Sequence, residues 1–154
     1  AWEMAFLENA EKMGYKSDSR EVIEYQKEVE ETITSYKKMK EAGIKILVGG
    51  DYGLDIAPHG TYAKDLEHYV NLFGFSNAEA LHSATSLGGE AMGNDGLLGT
   101  LEEGKLADLV IIDGNPLEDI TVLQNHKNIK AVMKDGLIYQ GLTNKTNPYL
   151  NENL

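Results

Sequence analysis

The stretch Lys45-Ile46-Leu47-Val48-Gly49-Gly50-Asp51-Tyr52-Gly53 decides the reading of this chain. Residues 44–48 are a short apolar run that follows directly on a long amphipathic pattern ending at Gly43. That order predicts a buried parallel strand entered from a helix. Asp51 then falls at the C-terminal end of the strand, where α/β folds gather their chemistry. Gly49, Gly50 and Gly53 free the backbone around the carboxylate.

Upstream of this stretch, Val22, Tyr25, Val29, Ile33, Tyr36 and Met39 form one stripe of a long helix. Ser17-Asp18-Ser19 offers capping oxygens, and Asp18 followed by Glu21 has the spacing of a capping box. Glutamates crowd its start and lysines its end, as the helix dipole favours, and Gly43 supplies a C-terminal stop. The acidic run reads as a solvated helix face rather than a binding patch. Still earlier, Trp2, Phe6, Ala10 and Met13 recur at helical spacing up to Gly14.

Downstream, a loop with Pro58-His59-Gly60 precedes a helix marked by Leu66, Tyr69, Val70 and Phe73 and ended at Gly74. Ser76 and Glu79 make a capping box for another helix, with Leu81, Ala84, Thr85, Gly88 and Met92 on one face. Alternating strand and helix up to this point predicts βα units and a parallel sheet. The pattern changes after Gly93. Asn94-Asp95-Gly96 and Gly104 are turn signals, residues 109–112 are a short apolar strand, and 129–133 and 137–139 flank the hairpin dipeptide Asp135-Gly136. Residues 141–154 read as a polar surface tail, and its Asn144-Lys145-Thr146 triplet is of a kind common by chance. The expected division is therefore 1–93, 94–140 and 141–154.

The chain has 154 residues, 42% of them hydrophobic, enough for one ordinary core but not for a complete eight-fold α/β barrel, which needs roughly 250. It opens Ala-Trp-Glu without Met, which suggests a start inside a larger gene product. A net charge of -11 argues against a nucleic-acid partner. No run approaches the ~20 apolar residues of a membrane span, so no membrane partner is expected. Without cysteine there is neither a disulfide framework nor a thiolate metal site. The compartment is undetermined on this evidence, with the cytoplasm favoured as an expectation.

Residues 45–53, His59-Gly60, Ala78-Glu79-Ala80-Leu81, the run from Leu98 to Leu117 and Val132-Met133-Lys134-Asp135-Gly136 together resemble the C-terminal part of the metal-dependent amidohydrolase superfamily. The branch most similar is the imidazolonepropionase and Xaa-Pro dipeptidase-like group. The run from Leu98 to Leu117 is the most specific part. The resemblance implies an α/β fold: the C-terminal part of a (β/α)8 TIM-type barrel plus part of a small β-sandwich. It implies one or two divalent metal ions, zinc foremost, and a hydrolase that cleaves amide or peptide C–N bonds with metal-activated water. It also implies that Asp51 matches the aspartate on the eighth strand, a metal ligand and proton shuttle. The family places Thr before this aspartate, and here it is Gly50. The remaining ligands belong to other strands, and the four histidines of this chain show no His-x-His spacing. A chain with one ligand should be inactive alone, and an oligomer or partner chain completing the barrel is expected.

Local chemistry offers alternatives at each position. Asp51 could merely cap the following turn, and without the resemblance that is the better reading. His59 could contact a small amide or peptide substrate at a pocket mouth, or lie on a surface loop. Tyr52 could line the pocket or pack against the helix layer. His68 and His82 lie within helical patterns and read as packing or surface residues. Asp108, Asp113 and Asp119 sit in turns, where local hydrogen bonds account for them. Gly49-Gly50 is no phosphate loop, because no Lys-Ser or Lys-Thr follows. Two rival readings stand beside the hydrolase fragment. One is a non-catalytic α/β interaction module, for which a cleft-free Asp51 would speak; the other is one half of a split hydrolase, for which a His-x-His-bearing partner would speak.

Overall fold

Ser19 closes the start of the longest helix, which we label α2 (Arg20–Glu41): its side-chain oxygen accepts the Val22 N–H at 3.5 Å. The cap is Ser19 and not Asp18, because Ser19 holds the extended backbone that a capping residue requires (φ -67°, ψ 150°). Gly43, at φ 71°, ends the helix, and the Ile44 N–H donates back to the Met39 carbonyl at 3.0 Å. Before it, α1 (Trp2–Asn9) is shorter than its apolar spacing predicts; residues 10–14 continue as turns, closed by Tyr15 N–H donating to the Ala10 carbonyl at 2.9 Å. The computed structural model describes residues 2–93 and 96–141. The expected tail with its Asn144 triplet, and Asn94-Asp95 of the expected turn, lie outside the described residues.

The strand expected at 44–48 is a correction: residues 44–50 run on from α2 without joining any strand. A strand exists only through ladder partners, and among the described residues no parallel strand is present to pair with it. Two apolar residues of the run are consequently left open, Ile44 56% and Leu47 43% exposed. A short turn follows, with a Leu54–Ala57 bridge, and then α3 (Lys64–Asn71), which buries Leu66 and Tyr69 as its stripe predicts.

The chain divides into two compact units, Ala1–Ser76 and Asn77–Leu154. In the first, Phe6, Ala10 and Val22 make a small core against which Leu7, Tyr15, Tyr25 and Ile56 pack. The Phe6 ring lies 4.4 Å from Tyr25 and 5.2 Å from Tyr15, centroid to centroid. A second aromatic group joins α2 to the end of α3, with Tyr36 stacked on Phe73 at 4.4 Å.

In the second unit, the single helix expected after Ser76 is two, α4 (Asn77–Ala84) and α5 (Ser86–Ala91). The break is at Thr85, whose backbone leaves the helical region (φ -116°, ψ -84°). Behind the break, Gly89 of α5 lies so close to the chain at 98–99 that a Cβ there would sit 2.5 Å from the Leu98 carbonyl oxygen. Helix and loop can approach like this only because position 89 has no side chain. Strands β1 (Leu109–Ile112), β2 (Ile129–Lys134) and β3 (Leu137–Gly141) form an antiparallel sheet in sequence order. Asp135 and Gly136 turn the β2–β3 hairpin with positive φ at both residues, 49° and 74°, as the dipeptide predicts. The Asp108 carboxylate accepts the Asp135 N–H at 2.6 Å and faces Lys134, and these partners hold it below the usual carboxylate range. Asp119 accepts the Thr121 N–H at 2.9 Å, and Asp113 pairs with Lys130 at 3.0 Å. All three aspartates thus serve local structure. Val110 and Ile111 of β1 stay 53% and 43% exposed, and a second sheet that would make this one half of a sandwich is not among the described residues. No described helix is long and apolar enough to cross a membrane.

Candidate functional site

Helix α3 fixes the course of the run that leads to Asp51. The Tyr69 hydroxyl donates to the Leu47 carbonyl at 2.6 Å, and burial raises its pKa above the ordinary phenol value. From Leu47 the chain passes Gly49 and Gly50 into a cavity of about 600 Å³ in the first unit. Asp51 lines this cavity with those glycines; Val29, Ile33 and Tyr36 of α2 contribute an apolar wall, and Asp65 and His68 of α3 a polar one. Asp51 itself is exposed, as a residue at the mouth of a cavity is.

What the carboxylate does not do is equally informative. A capping aspartate takes the amide protons two and three residues on. Here the Gly53 and Leu54 N–H groups both donate to the Ala57 carbonyl, at 2.8 and 3.3 Å. The turn closes on its own backbone, so it does not need Asp51.

Tyr52 and His59 are not among the residues that line the cavity. Tyr52 is half-buried, its ring edge-on to Tyr62 at 4.8 Å. Burial first, then the charge of Asp65, pushes the Tyr52 phenol well up. His59 is exposed, with Nδ1 2.7 Å from the Tyr62 hydroxyl. Its ring lies over Gly53, where a Cβ would come 2.9 Å from Nε2.

Two residues that sequence reasoning did not single out as site residues line the same cavity as Asp51. Asp65 is 4% exposed on the inner face of α3. Its signal is in the sequence: it lies one turn before Tyr69, on the apolar stripe, where a charge is out of place. His68, for which packing and surface readings both stood, is largely buried; its Nδ1 lies 3.8 Å from Asp65 Oδ1, too far for a hydrogen bond, and its Nε2 is buried without a partner. Burial lowers its pKa, with Asp65 partly opposing.

The sign of the resulting pH dependence follows from that direction. Above the ordinary imidazole value of 6.5, folded and unfolded states both hold His68 neutral. Below it the unfolded chain takes up the proton first, so stability is lost as pH falls through this window. The urea midpoint of the wild-type chain should therefore fall between about pH 7 and pH 5, and fall less in His68→Gln. Equal declines in the two proteins would show that His68 is not the group responsible.

Among the described residues, no three His, Cys, Asp or Glu side chains group so as to hold a metal ion. Asp51 offers one anionic oxygen of the kind divalent cations accept. The residues present thus fit a single ligand position and not a whole metal site.

Comparison with known proteins gives the chain a class. The sequence model of the amidohydrolase family matches residues 8–138, and the chain belongs to this family. It is 36% identical over 108 residues to the ochratoxinase of Aspergillus niger, covering 70% of this chain and 22% of that protein. To the imidazolonepropionase of Syntrophobacter fumaroxidans it is 30% identical over 102 residues, covering 64% and 22%. Its structure superposes on the crystal structure of a putative prolidase from Bifidobacterium longum with a TM-score of 0.76 at 32% identity, over 90% of this chain and 33% of the other. The chain thus spans about a fifth of the length of the curated relatives it matches.

Proposed function

We propose that this chain is part of a metal-dependent hydrolase acting on amide or peptide C–N bonds, in which Asp51 is a metal ligand and the group that moves the proton. The observation that carries this reading is the position of the Asp51 carboxylate, which lines a cavity and is not used by the turn it begins. Family membership and relatives named as prolidase and Xaa-Pro dipeptidase support hydrolysis of small amides or peptides. A bound divalent metal would supply an acidified water and polarise the carbonyl under attack. Asp51 can then accept a proton from the nucleophile and release it to the departing nitrogen, the work of a general base turned general acid. The apolar wall from Val29, Ile33 and Tyr36 offers a surface on which the carbon skeleton of a small amide or peptide can rest.

On this reading the other ligands come from polypeptide outside the described residues. The absence of a metal-holding group among the described residues also favours a second form of the same reading, a hydrolase completed by another chain. Either form is tested by stripping the complete protein with a chelator and restoring zinc or manganese, with a dipeptide panel as substrate. Hydrolysis should disappear and return, while the isolated 154-residue chain stays inactive under both conditions. Turnover insensitive to chelation, or turnover by the isolated chain, would refute the proposal.

A further inference from the structure

We infer that Tyr62 is a positioning residue for Asp51: its ring, pinned by His59, holds Tyr52 and so fixes the start of the loop that follows Asp51. The inference rests on the reading of Asp51 given above, but the contacts do not. Tyr52 comes directly after Asp51, and its ring meets Tyr62 edge-on with centroids 4.8 Å apart. Tyr62 is 51% exposed, so burial alone does not set its orientation. The His59 imidazole does, with Nδ1 2.7 Å from the Tyr62 hydroxyl. That imidazole in turn lies over Gly53, where a Cβ would come 2.9 Å from Nε2. Gly53 also holds φ 120°, a backbone that residues with a side chain rarely adopt. Each of the two residues after Asp51 is thus covered by one member of a hydrogen-bonded pair.

The pair is rooted at the start of α3. The Thr61 and Tyr62 carbonyls accept the Lys64 and Asp65 N–H groups at 3.0 and 3.1 Å. The Thr61 hydroxyl donates to the Pro58 carbonyl at 2.8 Å, which ties the segment carrying His59 to the same turn. Residues 53–57 close on their own backbone, with Gly53 N–H donating to the Ala57 carbonyl at 2.8 Å and Ala57 N–H to the Leu54 carbonyl at 2.9 Å. Those bonds do not reach α3, and the Tyr52–Tyr62 contact does. Upstream, the Tyr69 hydroxyl holds the Leu47 carbonyl at 2.6 Å. Helix α3 and its lead-in thus grip the chain before and after Gly49-Gly50-Asp51, a span whose two glycines give it little stiffness of its own. A grip made by exposed side chains adds little to global stability, so its loss frees the loop without unfolding the protein.

The first test needs no turnover. In the complete protein, Tyr62→Ala should speed amide hydrogen exchange in peptides spanning residues 52–62 about fivefold, the scale of one lost aromatic pair, with the melting temperature little changed. Tyr62→Phe keeps the ring against Tyr52 and should retain most of the protection. His59→Ala removes the same hydrogen bond from the other side, so adding Tyr62→Phe to it should change exchange no further. In dipeptide hydrolysis, Tyr62→Ala should lower kcat about tenfold with KM little changed, and Tyr62→Phe should recover most of that loss. Wild-type exchange in Tyr62→Ala, additive effects in the double variant, or a raised KM at unchanged kcat would overturn the inference. Should Tyr62→Ala fail to fold, Tyr62→Phe, His59→Ala and their double variant decide the matter by themselves. A complete protein that hydrolyses nothing, combined with the expected exchange result, would sink the hydrolase reading and leave the hold on the loop standing.

Discussion

Asp51→Asn in the complete protein should lower kcat/KM by about a thousandfold, within the range that a positioned proton-transfer group contributes. Asparagine preserves size and one oxygen but loses the charge that a cation needs and the basicity that a proton needs. Metal affinity should therefore fall together with rate, as followed by competition with a chromogenic chelator. Thermal stability should barely change, because the amides that a capping aspartate would bind already donate to Ala57. A structural Asp51 predicts the reverse, a loss of about 1 kcal/mol in stability and near-normal turnover. The two outcomes are separated by both readouts at once.

Gly89→Ala should destabilise the second unit by about 1–3 kcal/mol, the usual cost of forcing an atom into a filled space. The added Cβ would meet the Leu98 carbonyl oxygen at 2.5 Å, the Leu98 carbon at 2.7 Å and Gly99 Cα at 2.9 Å. These are backbone atoms, and they cannot swing aside as a side chain can. Gly99 on the other side is equally tight, at φ 94° with Thr85 O 2.8 Å from its own missing Cβ. Alanine's better helix propensity returns at most about 1 kcal/mol, so the clash wins. Gly88→Ala is the control: its nearest neighbour would be Ser83 O at 3.8 Å, an ordinary contact. That variant should be neutral or up to about 1 kcal/mol more stable. Thermal unfolding of the pair reads the difference, and equal melting temperatures would refute the close approach of α5 to residues 98–99.

The elements that were legible in the sequence are those whose stabilisation is local. Gly43 ending α2, the stripe of α3 and the Asp135-Gly136 hairpin each depend on a few adjacent residues, and all three are present. The run 44–48 failed as a strand because a ladder is a property of pairs, and no parallel partner is described in this chain. The helix broken at Thr85 failed for a similar reason: its small residues did foretell close packing, but the partner, the backbone at 98–99, is not a pattern that sequence displays. At the site, Asp51 is singled out by its place after an apolar run together with the family resemblance, and it lines the cavity. Asp65 was overlooked because a charged residue in a helix is by default a surface residue, and only its phase relative to Tyr69 says otherwise. For His68 the helical spacing leaves packing and surface open, and the unpartnered Nε2 depends on what surrounds the ring, which no spacing reveals.

X-ray diffraction from crystals of the complete, metal-loaded protein, collected at the metal absorption edge, addresses the role of Asp51 most directly. The account predicts an anomalous peak bonded to the Asp51 carboxylate, at the end of the run held by Tyr69. A fully occupied metal site elsewhere in the protein, with Asp51 turned to solvent, would contradict it.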